Sequence, residues 1–313
     1  MSALKRIVCH ETWQGLDYDS SLPSGVCGVM HSGQLKLLCS AINFLTQNAR
    51  PLDLVLYSGA DLGDHVNVLA RMFPELEFHV YDNCEVNTSN AINISHIPRK
   101  FQMCDVNRYA KHSDNLLFMS DMRTVKRNKN GEVRATSNSN ANVIDNLRLQ
   151  KRMVTGMGPR ASMLKLRLPY TEEGMQGERF EYFKGDMHVQ PFANKTSAEV
   201  RLHVGTPDDS GTFASAQYDL RNHERTMFHY NIVDRRAHFD SEKPKQLSQD
   251  HKLAHAVIAE WCKMVSVDPD MRRRKGSTFA RDIVRELDAS YGRMLSLRLS
   301  PMAHMLLQDQ MTE

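Results

Sequence analysis

The chain has 313 residues, 41% of them hydrophobic, enough to bury a substantial core as one large domain or as a domain with a smaller lobe. Its formal charge of +3 and pI of about 8.5 neither require nor exclude nucleic acid, so local clusters carry more information. Six scattered cysteines without a CxxC pair point to reduced, packed thiols rather than a disulfide framework or a zinc site; no leader segment is expected, and no apolar run approaches the ~18 residues of a membrane span.

In chain order, residues 1–32 read as an irregular arm, because Ser-Ser-Leu-Pro-Ser-Gly at 20–25 disfavours regular structure. Leu35, Leu38, Ile42 and Leu45 recur at helical spacing and predict a helix over 34–48, closed off by Pro51. Short apolar runs then predict strands at 54–57, 76–81, 101–103 and 116–119, with a helix at 64–72 after Gly59 and Gly63. The runs are continuous rather than alternating, as in parallel strands covered on both faces, and their alternation with helices gives a layered α/β fold. A polar loop is expected from Arg123 to Asn140 and a helix over 141–155. Strands are expected at 162–168, 198–204 and 227–233, with a turn at 207–211. The tail carries helical patterns near 251–264 and 278–290, separated by a basic cluster at Arg272, Arg273, Arg274 and Lys275.

The run VLYSGADLGDH reads as strand, glycine turn and helix start, with Asp82 ending the next strand. Gly59 permits the turn, Gly63 permits close approach to a helix N-terminus, and a carboxylate at Asp82 can accept both ribose hydroxyls of an adenosine. The spacing is not the GxGxxG that hugs a pyrophosphate, and Asp61 and Asp64 would repel a diphosphate. A zwitterion bearing a sulfonium, S-adenosylmethionine (SAM), suits the loop better than a dinucleotide. The alternative is that both glycines serve the turn alone.

Four ionisable residues interrupt apolar surroundings: Lys36 in GQLKLL, Asp121 in LLFMSDMR, Lys165 in SMLKLRLPY and Glu199 in TSAEVRL. A lysine within hydrogen-bond reach of a ribose hydroxyl favours the developing alkoxide, and in its neutral form it accepts the proton. Carboxylates beside it orient the amine through charge-assisted bonds. Taken singly, Lys36 also reads as a solvated lysine, Lys165 and Glu199 as a cross-strand ion pair, and Asp121 as a cap.

From Leu16 to Tyr230 these motifs, together with QPFANKTSAEVRL, resemble the poxvirus-type mRNA cap-specific nucleoside 2′-O-methyltransferase family, whose members also serve as the small, regulatory subunit of poly(A) polymerase. The resemblance implies a Rossmann-like α/β methyltransferase fold with a mostly parallel central sheet flanked by helices. With the patterns of the arm and tail, the expectation is a single domain over 1–313, with 1–32 as an arm and 245–313 as a helical extension. The implied catalytic set is Lys36, Asp121, Lys165 and Glu199. The implied SAM contacts are Gln34, Tyr57, Gly59, Gly63, Asp82, Asp121 and Arg123, with S-adenosylhomocysteine as product and no metal required. Cap binding falls on Tyr18 and Tyr170 as stacking rings and on Glu172 and Glu224 as readers of the base edge. Cys84 stands where the family has an arginine, and Thr196 where it has a supporting tyrosine.

The function so implied is methyl transfer from SAM to the 2′-oxygen of the first transcribed nucleotide of capped mRNA, in the host cytoplasm and packaged in the virion. The expected partners are capped mRNA, a poly(A) polymerase catalytic subunit or other capping enzymes, and no membrane. Lys126, Arg127, Lys129, Arg148, Lys151 and Arg152 offer phosphate contacts downstream of the cap, or simply a solvated surface. Two other functions fit the same residues: a non-catalytic RNA clamp, and a methyltransferase acting on another RNA position.

Overall fold

The computed structural model describes residues 6–7, 16–17, 19, 32–60, 63–83, 92–122, 140–171, 178–193, 196–235 and 249–265. Strand β1 is the short pair Arg6–Ile7. Helix α1, Ser32–Asn48, buries Leu35, Leu38, Ile42 and Leu45 as its spacing predicts, and packs on the helices that follow at Asp64–Met72 (α2) and Gln249–Val265 (α6). Strands β2 (Leu54–Ser58), β3 (Glu77–Tyr81), β4 (Ile94–Ile97), β5 (Leu116–Ser120) and β6 (Ala161–Leu166) follow. Between β4 and β6 lie α3 (Val106–Ala110) and α4 (Asn140–Met157). Then come β7 (Arg179–Phe183), β8 (Asp186–His188), β9 (Val200–Val204), β10 (Ser215–Asp219) and α5 (Leu220–His229), which runs into a π turn over Tyr230–Asp234.

Eight strands form one sheet in the order β1-β8-β9-β6-β5-β2-β3-β4. Neighbours among β2 to β6 pair parallel, while β9 runs antiparallel to both β6 and β8. This is a mixed α/β fold with a mostly parallel central sheet flanked by helices, of Rossmann-like arrangement. Every residue of β2 and of β5 is buried, in line with their uninterrupted apolar runs. From β2 the chain builds outward through β3 and β4, then returns to lay β5 on the other side of β2. The order therefore reverses between β2 and β5, and the crevice beyond their carboxyl ends is where open α/β sheets take ligands. A second sheet pairs β7 with β10. No helix among the described residues is long and apolar enough to cross a membrane.

Three elements differ from expectation. The expected strand at 101–103 is a loop entering a 3-10 turn at Met103–Asp105, and the sheet's edge is β4 instead. Asp105 explains the loop: its carboxylate accepts the Gln102 amide at 3.0 Å in a capping box with Gln102 that bends the backbone out of a ladder, and it also grips Arg99 through both Nη atoms. The expected strand at 227–233 is the end of α5 and the π turn. Asp219 caps that helix by accepting the Asn222 amide at 2.7 Å, and Leu220, His223, Glu224 and Met227 are buried at helical spacing. Within the arm, Arg6–Ile7 pairs with His188 and Met187, closing the open edge of β8. The expected helix near 278–290, the basic cluster at 272–275 and the loop over 123–139 lie outside the described residues.

Candidate active site

Lys36, Asp121, Lys165 and Glu199 come together although up to 163 positions separate them in the chain. Lys36 sits near the start of α1, Asp121 one residue past β5, Lys165 within β6, and Glu199 one residue before β9. Lys36 donates to Glu199 Oε1 at 2.9 Å. Lys165 Nζ lies 2.9 Å from Glu199 Oε2 and 3.3 Å from Asp121 Oδ1. Sheet register produces this meeting, because Ser120 pairs with Leu164 across β5 and β6, which brings Asp121 beside Lys165.

A fifth charge completes the group. Arg201 pairs with Lys165 across β6 and β9, and its guanidinium reaches Asp121 at 2.7 Å and Glu199 at 3.4 Å. Like charges opposed on neighbouring strands repel, and here each carboxylate stands between them. Gln190 locks the arrangement, accepting from Arg201 Nε at 2.8 Å and donating to Glu199 Oε1 at 3.2 Å and to the Glu199 carbonyl at 3.1 Å. Burial alone would lower the Arg201 pKa, but Asp121 and Glu199 outweigh it and the net shift is upward. Side-chain exposures are 14% for Lys36, 11% for Lys165, 10% for Asp121, 8% for Glu199 and 1% for Arg201, so little water screens the group. Among the described residues, three basic side chains thus face two carboxylates in a nearly dry site. Sequence reasoning gave Arg201 and Gln190 no role. The signal for Arg201 is a charge in the apolar run Val200–Val204, two residues from Glu199 and hence on the same strand face.

Beside this group, Gly59 follows β2 and lies against the backbone of Asp121 beyond β5, and Asp82 stands at the carboxyl end of β3, one strand further along the sheet. Gly59 has φ +82, and a Cβ there would lie 3.0 Å from the Asp121 backbone, so the position demands glycine. Gly63, φ 72, is the N-cap of α2 and supplies no side-chain cap, and uncapped helix N-termini suit anionic groups. Gln34 on α1 and Tyr57 on β2 are joined by the fully buried His65: Nδ1 lies 2.8 Å from Gln34 Oε1 and Nε2 lies 3.0 Å from the Tyr57 hydroxyl. Burial chiefly, with Arg201 adding and Asp121 opposing, brings the His65 pKa down to about 3, so the ring is neutral. Because Gln34 Oε1 can only accept, Nδ1 carries the proton and Nε2 accepts from Tyr57. A glycine cradle, an acid at the end of β3 and this polar trio fit an adenosyl amino acid at the sheet's reversal point. Arg123 and Cys84 lie outside the described residues.

On the other flank, Tyr170 is half-buried, with its hydroxyl donating to the Thr196 carbonyl at 3.3 Å and the Arg167 guanidinium 4.2 Å from its ring centroid. Asn140 brackets the Tyr170 backbone, accepting from its amide and donating to its carbonyl, both at 2.9 Å. Glu224 on α5 is buried and accepts from the Thr171 amide at 2.9 Å and hydroxyl at 2.8 Å. Asp17 in the arm is paired with Arg221 and Arg225 on either side of Glu224 along α5. Tyr18 and Glu172 lie outside the described residues, as do Lys126, Arg127 and Lys129. Of the other basic candidates on α4, Arg148 pairs with Asp145 at 4.0 Å and Lys151 with Glu181 at 2.9 Å. Among the described residues no cluster of three His, Cys, Asp or Glu is spaced to hold a metal; the thiol of Cys39 is buried and that of Cys104 exposed.

Residues 7–253 match the family described as "Poly A polymerase regulatory subunit". Two curated relatives named cap-specific mRNA (nucleoside-2′-O-)-methyltransferase, from the Lausanne and Uriarra strains of myxoma virus, are each 27% identical to the chain over 221 residues, covering 66% of it and 62% of the relative. A protein of the same name from fowlpox virus (strain NVSL) is 24% identical over 200 residues, covering 59% of the chain and 62% of the relative. The chain thus spans less than two thirds of the length of these relatives.

Proposed function

The chain belongs to the poly(A) polymerase regulatory subunit family, and from that premise we propose that it transfers a methyl group from SAM to the ribose 2′-oxygen of the first transcribed nucleotide of capped mRNA. The observation that carries this reading is the meeting of Lys36, Lys165 and Arg201 with Asp121 and Glu199 beside the crevice at the β2–β5 reversal. Basic side chains gathered in a water-poor site favour an alkoxide over a hydroxyl, which is the electrostatic demand of 2′-oxygen methylation. SAM, when bound, supplies an electrophilic methyl on a sulfonium. Gly59, Gly63, Asp82 and the Gln34–His65–Tyr57 trio hold its adenosine and amino-acid ends. Lys165 is the group that meets the ribose oxygen: as an amine it takes the hydroxyl proton, and the ammonium so formed donates to the charge developing on the oxygen. Asp121 and Glu199 fix its direction, Lys36 holds Glu199 from the opposite side, and Arg201 anchors both acids. Much of the rate then comes from holding oxygen and methyl carbon in line.

Tyr170 and Glu224, with Tyr18 and Glu172, form the cap slot in this reading, the rings stacking on a positively charged methylated guanine and the acids accepting from its edge. The reaction takes place in the host cytoplasm. Labelled methyl should pass from SAM to the first ribose of capped RNA and not to its uncapped counterpart; labelling of neither, or of both equally, overturns the proposal. The family's description favours a second role alongside the first, as an RNA-holding subunit of a poly(A) polymerase. Tail extension by such a polymerase, with and without this chain, separates that role from methyl transfer.

A further inference from the structure

Three consecutive carbonyls lead into Glu199, and each is held by a side chain. Tyr170 donates to Thr196 O at 3.3 Å, Asn231 Nδ2 to Ser197 O at 2.7 Å, and His223 Nε2 to Ala198 O at 2.9 Å. Ser197 Oγ in turn accepts the Glu199 amide at 3.2 Å. The strap over 196–198 is therefore held by the hydroxyl of Tyr170, a residue of the cap slot, and by side chains of α5 and the π turn that follows it. A carbonyl can only accept, so Nε2 of His223 carries the proton. Burial holds the ring neutral, its pKa brought down to about 4 although the Ala198 contact opposes the shift. Asn231 is itself fixed by the fully buried Arg235, whose Nη1 donates to Asn231 Oδ1 at 2.6 Å and whose Nη2 donates to Ala193 O at 2.8 Å, earlier in the same loop. That loop includes Phe192, a buried non-glycine residue at φ 59, a backbone state that persists where its surroundings enforce it. Next to His223, Glu224 points its carboxylate at Thr171, the residue after Tyr170. Adjacent positions of one helix thus touch the cap slot and the strap that sets Glu199. A π turn directly after such a helix is a frequent mark of a functional site.

We propose that His223 and Asn231 are positioning residues that transmit occupancy of the cap slot, through α5 and the 196–198 strap, to the placement of Glu199 against Lys36 and Lys165. The proposal rests on the cap-methyltransferase reading given above. Filling the slot against Tyr170 and Glu224 fixes both grips on the strap, and Glu199 then holds Lys165 in its working direction.

The test uses the full chain, a methylated cap dinucleotide and capped RNA. His223→Phe keeps the ring volume and removes the donor, and His223→Gln restores a donor near the same point. Asn231→Asp removes the donor to Ser197 while keeping the acceptor for Arg235. For His223→Phe and Asn231→Asp, kcat should fall by about tenfold or more while KM for capped RNA and affinity for the dinucleotide stay within about threefold. His223→Gln should recover most of the loss. In the wild-type protein the dinucleotide should slow hydrogen exchange at the backbone amides of 197–200, and in His223→Phe it should bind without doing so. Wild-type kcat in a folded His223→Phe variant, parallel loss of kcat and cap affinity, or equal damage from Phe and Gln each overturns the coupling. Should His223→Phe not fold, Asn231→Asp and the wild-type exchange measurement decide the matter. Binding of the dinucleotide with no change over 197–200 sinks the coupling and leaves the cap reading standing; failure of the wild-type chain to bind it at all sinks the cap reading first.

Discussion

Replacing Lys165 by Met tests the proposed chemistry most directly. The substitution keeps much of the side-chain volume and removes one positive charge from beside the reacting oxygen. At an effective dielectric of about 20, a unit charge roughly 4 Å from a developing alkoxide is worth about 4 kcal/mol. Each 1.4 kcal/mol or so corresponds to about tenfold in rate, so methyl transfer should slow by about a thousandfold. The fold should survive. Glu199 keeps Lys36 at 2.9 Å and Arg201 at 3.4 Å, and Asp121 keeps Arg201 at 2.7 Å, leaving two carboxylates against two cations. The stability loss should therefore stay within about 2 kcal/mol. Glu199→Gln is the contrasting case: three buried or near-buried cations would share one carboxylate, and breaking a buried ion pair costs about 3–5 kcal/mol. Inactivity in that variant reports on folding as much as on chemistry. Single-turnover transfer of labelled methyl to capped RNA, with thermal unfolding and cap-analogue affinity as controls, separates the two effects. A folded Lys165→Met protein that retains more than about a tenth of the wild-type rate refutes the assignment.

Three further outcomes are expected. His65→Phe removes the histidine contacts of Gln34 Oε1 and the Tyr57 hydroxyl in a buried site, and should weaken SAM binding about tenfold by calorimetry; an unchanged Kd would detach the trio from the cofactor. Gly59→Ala places a Cβ 3.0 Å from the Asp121 backbone at a positive φ. It should cost about 2 kcal/mol or more and cut activity by shifting Asp121, read as a lowered denaturant midpoint and a lowered rate. Stability should fall between pH 7.5 and 5.5. Below the ordinary histidine pKa of about 6.5 the unfolded chain takes up protons that the buried neutral rings of His65, His203 and His223 refuse. Each ring contributes about 1.4 kcal/mol of loss over that interval, and the decline continues toward the folded values, about 3 for His65 and about 4 for His223. Flat denaturation midpoints across the range would contradict the neutral, buried assignment.

The sequence displays the central strands because their physics is local. Runs such as Leu54–Ser58 and Leu116–Ser120 are apolar throughout, and strands covered on both faces require nothing else. The edge strand Ile94–Ile97 is half-buried and mixes Ser95 and His96 into its pattern, so it carries no such signature. Phe101 imitates a strand because it is deeply buried, yet it reaches the core from a loop bent by Asp105. The segment from Met227 to Val233 is rich in residues that favour strands, and in isolation it reads as one. What makes it helical lies upstream, in the Asp219 cap and the burial of Leu220, His223 and Glu224 one turn earlier. Short-range composition loses to a helix already nucleated and packed.

The site divides along the same line. Lys36, Asp121, Lys165 and Glu199 are legible because each breaks an apolar stretch, where an unpaired charge would cost several kcal/mol or so and so needs a partner elsewhere. Which partner each one finds depends on register, and register is a property of the folded sheet. Arg201 is the residue that register supplies. Opposed to Lys165 across β6 and β9, it would destabilise the strand pair if the two carboxylates did not reach between them. An ion-pair network serving the fold alone would balance its charges, since surplus buried charge weakens it. Among the described residues, this one sets three basic side chains against two acids in a group no more than 14% exposed, next to the crevice at the sheet's reversal point. The surplus becomes favourable only when a further negative charge arrives, and an oxygen losing its proton beside Lys165 is such a charge.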